Sequence, residues 1–557
     1  MIHAEKTVSK KCSTTYQWSP YLKAAIHTLS YWKIQLSQLR GKAISQHTLQ
    51  KVFNHTTLEE NLRRPLPLEG VIQKIQEARA ALREVQKHHI KLRSQHLEDL
   101  VTVIILLRRP SLLEKGQEKE YEKKRKKELR RIQRKEALSR MHRKIGFTLC
   151  PQESRGGLRR VDIPKTTHQE PYPSGPDPKT WEGPWTSLNN PSEIATHVCS
   201  ANARQYHQAH GTPCGVEPLA SHLGYKADRA GAQTLIDGAT LPQEIAEKLL
   251  LETQSIFSTL TALANDNNPT LDPTITPEQF KSCYKAMDKR TSSSPSGRHL
   301  GHYKAATLSE DLTKLHSTMM SIPLSASFSP THWQKIIDVM LEKKYGDHRI
   351  HRLRIVALQE SDFNQCNRLA ISRPLQSLVE HLNLAPDMQH GSRASKLCHS
   401  AVLNKQLTFE IHRYMKQPIA YIENDAVGCY DRIINPLVLI FLRILGLSPS
   451  AVASLAQTWE QTYHRIKTMY GISKETYRNT SQRPLYGPGQ GSTIGPFLWL
   501  LCFILIFLSL GNHSPRIHLQ AVNSTQSISY VGEAFVDDVG LGTNEDHDNS
   551  KTLVTNL

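Results

Sequence analysis

The sequence predicts an α+β fold preceded by a basic, mainly α-helical N-terminal region, and three observations carry that expectation. Residues 1–150 combine helix-period apolar spacing with a long Lys/Arg run. After about residue 241, short strand-like apolar pieces alternate with helical patterns. An uncharged stretch, PFLWLLCFILIFLSL from Pro496 to Leu510, needs a sizeable core to bury it.

Composition narrows the function classes. A chain of 557 residues has room for several domains. With 38% hydrophobic and 22% charged residues it reads as globular, which excludes a disordered chain. The 70 Lys+Arg against 51 Asp+Glu give a net charge of +19 and a pI near 9.4. Phosphate-rich partners are therefore favoured, nucleic acid first and an anionic membrane surface second. The nine cysteines include no Cys-x-x-Cys pair, and no signal peptide follows MIHAEK. The expected setting is intracellular, nuclear or cytoplasmic.

In the N-terminal region Ile75, Ala78, Leu82 and Val85 follow a heptad-like spacing, continued less cleanly by His89 and Leu92. This predicts a helical hairpin or short coiled coil. From Glu114 to Lys144 the run is dominated by Lys and Arg, with glutamates spaced for helical ion pairs. It reads either as a solvated helix or as a nucleic-acid backbone contact, and KKRKK also fits a nuclear-import segment.

Residues 151–240 read as a Pro/Gly-rich linker and irregular segment. Within it Cys199, His207, His210 and Cys214 lie close together, but their spacing matches no common zinc site, so they are read as ordinary helix and turn residues. Helical patterns at 241–265 and 276–289 precede the Ser/Gly/Pro loop TSSSPSGRHLGHYK. Strand-like pieces at Asp338–Leu341 and Leu353–Leu358 then flank a turn holding Lys343, Lys344 and Gly346. The Pro496–Leu510 run, at about 15 residues, falls short of the ~20 that span a bilayer, and a buried core helix is expected. Exposed instead, it would make the protein membrane-associated.

Three acids form the centre of the remaining sequence. In IAYIENDAVGCYDRI an apolar strand leads to Asp425, before a helix over NPLVLIFLRIL. In EAFVDDVGL, Asp537 and Asp538 interrupt an apolar run. Adjacent residues on a strand face opposite ways, so a hairpin with the acids at its tip is the simplest solution. Alone, that stretch reads equally well as a surface hairpin with an Asp-rich turn. Beside a strand ending in Asp425 it makes a three-carboxylate cluster, costly without cations. Oxygen-only ligands suit Mg²⁺. Between the acids, RPLYGPGQGSTIG supplies Gly487, Gly489 and Gly491 for close backbone approach to a ligand, with Gln490 and Ser492 as hydrogen-bonding side chains.

In this order, acid strand, Gly-Gln-Gly-Ser loop and Phe-x-Asp-Asp hairpin, the chain resembles the reverse transcriptases of non-LTR retrotransposons and their group II intron relatives. Asp425 and Asp431 match the paired aspartates of the family's motif A, and Tyr430 stands where its aromatic steric gate lies. Gly489-Gln490-Gly491-Ser492 is similar to the Pro-Gln-Gly-Ser of motif B, with Gly for Pro. Phe535-Val536-Asp537-Asp538 meets the aromatic-x-Asp-Asp pattern of motif C. Looser matches are Lys343, Lys344 and Arg354 to the basic residues that hold the incoming triphosphate, Gln389-His390-Gly391-Ser392-Arg393 to a Gln-x-Gly-Phe-Arg segment, and SSPSGRH to a fingers loop.

The resemblance covers about residues 275–550 and implies a right-hand polymerase, with fingers over 241–415 and a palm of antiparallel sheet and helices over 416–557. It implies RNA-directed DNA polymerase activity on an RNA template, a DNA or RNA primer and dNTPs. Two Mg²⁺ ions, or Mn²⁺, would be held chiefly by Asp425 and Asp537, with Asp538 in support. Tyr430 would exclude a 2′-hydroxyl, and Gln490 and Gly491 would back the templating base or primer. With 19 residues after Asp538, no room remains for a thumb, so a truncated retroelement reading frame is expected. The alternative function is an inactive fragment that only binds nucleic acid.

Overall fold

The computed structural model describes residues 19–63, 66–108, 118–149, 158–264, 270–288, 295–394, 396–426, 428–521 and 524–544. The start of the expected linker, the first part of the Ser/Gly/Pro loop and the terminus after Asn544 lie outside the described residues. The chain divides into two compact units, Met1–Cys150 and Pro151–Leu557.

The first unit is helical. Its helices are α1 (Pro20–Leu39), α2 (Gln46–Phe53), α3 (Leu68–Lys87), α4 (His89–Arg108) and α5 (Glu118–Leu149). Tyr31, Trp32, Phe53, Val71, Ile75 and Ala78 form its core. The heptad-like register is thus used by Ile75 and Ala78, while the helix breaks between Lys87 and His89 instead of continuing as one coil. Val101 and Ile105 of α4 pack with Tyr121, Leu129 and Ile132 of α5. The basic helix α5 carries the expected short-range ion pairs, including Arg125–Glu122 at 2.9 Å and Arg131–Glu128 at 3.0 Å.

The second unit is α+β. Its helices are α6 (Pro191–Tyr206), α7 (Leu219–Leu223), α8 (Ala230–Ile236), α9 (Gln243–Ala246), α10 (Leu251–Ala262), α11 (Pro277–Ala286), α12 (Leu300–Ala306) and α13 (Glu310–Ser325). They continue as α14 (Ser361–Cys366), α15 (Arg373–His381), α16 (Cys398–Met415), α17 (Asn435–Ile444), α18 (Pro449–Gln461) and α19 (Gly495–His513). The strands are β1 (Val161–Pro164), β2 (Trp185–Leu188), β3 (Lys335–Glu342), β4 (Leu353–Leu358), β5 (Ala420–Asp425) and β6 (Tyr463–Thr468). They end with β7 (Gly471–Arg478), β8 (Ile517–Gln520), β9 (Ser527–Tyr530), β10 (Gly532–Phe535) and β11 (Asp538–Thr543).

Two sheets matter for function. One has the order β4-β3-β6-β7, with β3 and β6 parallel and the other pairs antiparallel. The other has the order β10-β11-β5 and is antiparallel throughout. Strands β3, β4 and β6 alternate as half-buried strands should, whereas β10 is covered along most of its length and β5 becomes exposed toward Asp425. The three-stranded sheet rests Ala534 and Val539 on Trp499, Phe503 and Phe507 of α19.

That helix is longer than the apolar run predicts, because Gly511, Asn512 and His513 continue it. Among the described residues it is the one helix long and apolar enough to cross a membrane, yet most of its apolar window is buried. Leu498, Leu500, Leu501 and Ile504 are fully covered beside Leu439, Ile440 and Phe441 of α17, so it behaves as the expected core helix.

From residue 158 on, the segment expected as a linker is instead folded into this unit. The β1–β2 pair and α6 lie within it, and Ile194, Val198 and Tyr206 of α6 share a core with Met340, Ile355 and Ile466 of the four-stranded sheet. Small residues in IATHVCSANARQY hide a buried helix from a count of large apolar side chains. Likewise 241–265 forms two helices, α9 and α10, with a break between them. The cysteine–histidine group does not gather as a ligand set. Cys199 is buried in α6, Cys214 is buried beyond it, and the His207 ring stacks on His210 while its Nδ1 lies 2.7 Å from the Pro484 carbonyl.

Candidate active site

Strand β5 ends on Asp425, as expected, and in the β11–β5 ladder its partner is Asp538. Directly opposed residues of an antiparallel pair project from the same face, so these two carboxylates stand side by side. Asp537 belongs to the two-residue turn between β10 and β11, where Phe535 pairs with Asp538. The hairpin with acids at its tip is therefore formed, but Asp425 is set against Asp538, and Asp537 occupies the turn beside them.

Val536, the first turn residue, has φ +58°, in the left-handed region that a β-branched side chain rarely enters. Surrounding contacts hold it there. Trp499 Nε1 donates to the Val536 carbonyl at 2.6 Å, and Ala426 N donates to the Asp537 carbonyl at 3.0 Å. The segment Met388–His390 runs along the free edge of β10, with His390 N donating to Ala534 O and Ala534 N to Met388 O. Gly391 then passes so close that a Cβ there would lie 2.2 Å from Val536 N. The Gln-His-Gly-Ser-Arg segment thus braces the acidic tip. Arg393 anchors it, pairing bidentately with Glu380 at 2.6 and 2.8 Å.

The face bearing Asp425 and Asp538 borders a cleft of about 400 Å³ beneath α16, lined also by Tyr421, Glu423, Glu533 and Phe535. Lys405 of α16 pairs with Glu423 across it. Glu533 is buried, its Oε1 has no hydrogen-bond partner, and burial pushes its carboxyl up to about 7. The donors on this face are oxygens, which suits a hard divalent cation in kind. Among the described residues, however, no three His, Cys, Asp or Glu side chains converge closely enough to hold a metal ion. Any such ion would draw further ligands from water or substrate phosphate.

In the short helical turn Cys429–Arg432, Tyr430 is half-buried and Asp431 is fully buried. The charge of Asp537 reaches the Tyr430 hydroxyl, which burial raises to about 12. Gln205 Nε2 donates to Asp431 Oδ2 at 2.5 Å, while Oδ1 has no hydrogen-bond partner. Burial pushes the Asp431 carboxyl up to about 6. Asp431 is therefore a structural acid locked to α6.

The glycine-rich loop wraps this turn. Gly487, Gly489 and Gly491 all have positive φ, as the spacing of three glycines suggests. Their free side is filled by protein, contrary to the expected ligand. A Cβ would lie 2.1 Å from Tyr430 O at Gly487, 2.5 Å from the Tyr206 hydroxyl at Gly489 and 2.5 Å from Ala357 O at Gly491. The Gln490 carbonyl accepts from Ala357 N at 2.6 Å, which ties the loop to the end of β4. Ser492 Oγ is buried with no partner.

Lys343, Lys344 and Arg354 are exposed at the turn end of the β3–β4 hairpin, with Arg354 opposite Leu341. Sequence reasoning missed the device beneath. Asp338, fully buried in β3, accepts from Tyr477 OH at 2.5 Å and Asn202 Nδ2 at 3.3 Å, with His464 Nδ1 at 3.1 Å from its other oxygen. These partners come from α6, β6 and β7, which the network clamps to β3. A charged residue inside an apolar strand was the available signal. A scan of the chain against protein-family models finds no match, and a search of curated proteins finds none either.

Proposed function

We propose that the protein is an RNA-directed DNA polymerase that adds dNTPs to a primer 3′-hydroxyl. The observation that carries this reading is the placement of Asp425 at a strand end opposite Asp538, with Asp537 in the adjoining turn. Three carboxylates at one rim of a sheet, on a chain of net charge +19, suit phosphoryl chemistry on a nucleic acid. Divalent cations bound there, Mg²⁺ or Mn²⁺, would supply charge neutralisation at the reacting phosphate.

The chain's own groups take the remaining roles. Lys343, Lys344 and Arg354 neutralise the triphosphate. Tyr430, wedged against the glycine-rich loop, presses on the sugar where a 2′-hydroxyl would project. The backbone of Gln490 and Gly491, tied to β4, presents a rigid wall to the template base or primer. In this reading β5, β10 and β11 belong to the palm and the β3–β4 hairpin to the fingers.

The reading is tested by extension of an oligo(dT) primer on poly(rA). The purified chain with Mg²⁺ incorporates dTTP in preference to UTP; no incorporation above a chain-free control contradicts the proposal. A second reading, nucleic-acid binding without catalysis, is favoured by the long basic helix α5. It predicts oligonucleotide binding with no extension.

A further inference from the structure

The four-stranded sheet turns one face to α6, and among the described residues the side chains of its other face are exposed or half-buried. Strand alternation and register place Lys335, Ile337, Val339 and Leu341 of β3 on this second face, beside Arg354, Val356 and Leu358 of β4. From β6 come Tyr463, Arg465 and Lys467, and from β7 come Ile472, Thr476 and Arg478, with Lys474 exposed at the register shift between them. Six of these residues are cationic, and no residue of the face is acidic. The acids of the same strands lie elsewhere: Asp338 is buried in its network, Glu342 at the end of β3 accepts from Gly346 N at 2.7 Å and lies 3.2 Å from His348 Nδ1, and Glu475 is turned toward α6, where Ser192 Oγ donates to it at 2.6 Å.

Aromatic rings lie among these cations. Arg465 sits over the Tyr463 ring, 5.9 Å from its centroid. Because β3 and β6 are parallel, the β3–β4 and β6–β7 turns share one end of the sheet. They carry Tyr345, fully exposed, and Tyr470, 58% exposed. A surface of spaced cations, aliphatic side chains and projecting rings offers phosphate contacts and stacking together. At about 4.8 Å between strands, four strands span about 15 Å, room for roughly three unpaired nucleotides.

We propose that this second face is a binding platform for single-stranded RNA. The charge pattern selects the occupant, since an acid-free cationic sheet complements a phosphodiester backbone, and the rings require unstacked bases. The inference does not rest on the polymerase reading. If that reading holds, the platform receives an unpaired stretch of template.

The test uses the full chain and a labelled 12-nucleotide oligo(U), with binding followed by fluorescence anisotropy against salt. The variant K335Q/R465Q/R478Q removes three cations from exposed positions and leaves the core intact. It should bind about tenfold more weakly at 0.15 M KCl, and the salt slope should fall by about 2. Y345A/Y470A should weaken binding about fivefold or more with the slope unchanged. A 4-thiouridine oligomer should crosslink to peptides within 335–345 and 463–478. Crosslinks confined to other segments, with the slope of the triple variant unchanged, would overturn the proposal and leave the face to an acidic protein partner. Binding at this face without any primer extension by the wild-type chain would refute the polymerase reading alone.

Discussion

Asp425 and Asp538 are register partners across the β5–β11 ladder, so two carboxylates that lie 113 positions apart in the chain share one face at the rim of a small sheet. On an apolar strand pair this placement is unfavourable unless something cationic uses it. The tip is also strained at Val536 and held by Trp499, Ala426 and the close pass of Gly391. Backbone held in a sparsely populated region by several independent contacts is the pattern of a functional site.

Tyr430→Ala should raise incorporation of UTP relative to dTTP by about tenfold or more, because the ring no longer occupies the space of a 2′-hydroxyl. Paired primer extensions with each nucleotide give the ratio. Equal discrimination in the two proteins removes the gate from the account.

Arg354→Gln and Lys343→Gln should each raise the KM for dTTP about tenfold, since each removes a charge-assisted contact to phosphate worth about 1.5 kcal/mol. Both residues are exposed, so folding should be untouched. A KM that stays at the wild-type value in both variants would place the triphosphate elsewhere.

Gly487→Ala should destabilise the second unit by about 2–4 kcal/mol. Its φ of +75° disfavours any side chain, and the new Cβ would meet the Tyr430 carbonyl at 2.1 Å. Gly471→Ala is the control, with φ +124° but open space around it, and should cost about 1 kcal/mol. Denaturant unfolding measures both, and equal losses would show that the tight packing of the loop is immaterial.

Asp431 gives a pH signature. Its folded value of about 6 lies above the ordinary value of 3.8, so the native state holds the proton more tightly than the unfolded chain. Stability from this group is present below about pH 4 and is lost as pH rises through about 6, by on the order of 2–3 kcal/mol. Asp431→Asn should keep acceptance from Gln205, flatten that part of the profile and stabilise the protein at pH 7.5. Superimposable unfolding profiles from pH 4 to 7 would contradict the assignment.

Much of this arrangement is legible in the sequence wherever a local pattern carries it. The acidic hairpin follows from two acids inside an apolar run, β5 from the residues before Asp425, and α19 from an uncharged stretch too short to span a bilayer. What escapes is non-local. The Asp338 network draws on Asn202, His464 and Tyr477, more than a hundred positions away on either side, and each looks unremarkable in its own strand or helix. The three glycines signal close approach correctly, yet spacing alone does not say that the approaching groups are Tyr430, Tyr206 and Ala357. Helix α6 is hidden by its small side chains. The facing of Asp538 rather than Asp537 toward Asp425 depends on a two-residue turn whose first residue is a strained valine.

The central claim is that Asp425, Asp537 and Asp538 form one catalytic centre, and primer extension by conservative variants tests it most directly. Asp425→Asn and Asp537→Asn keep the size of the side chain and remove its charge. On poly(rA)–oligo(dT) with dTTP and Mg²⁺, wild-type protein should extend the primer, and each variant should lose at least a hundredfold in rate while still binding the primer–template. Extension by either variant at the wild-type rate would contradict the account.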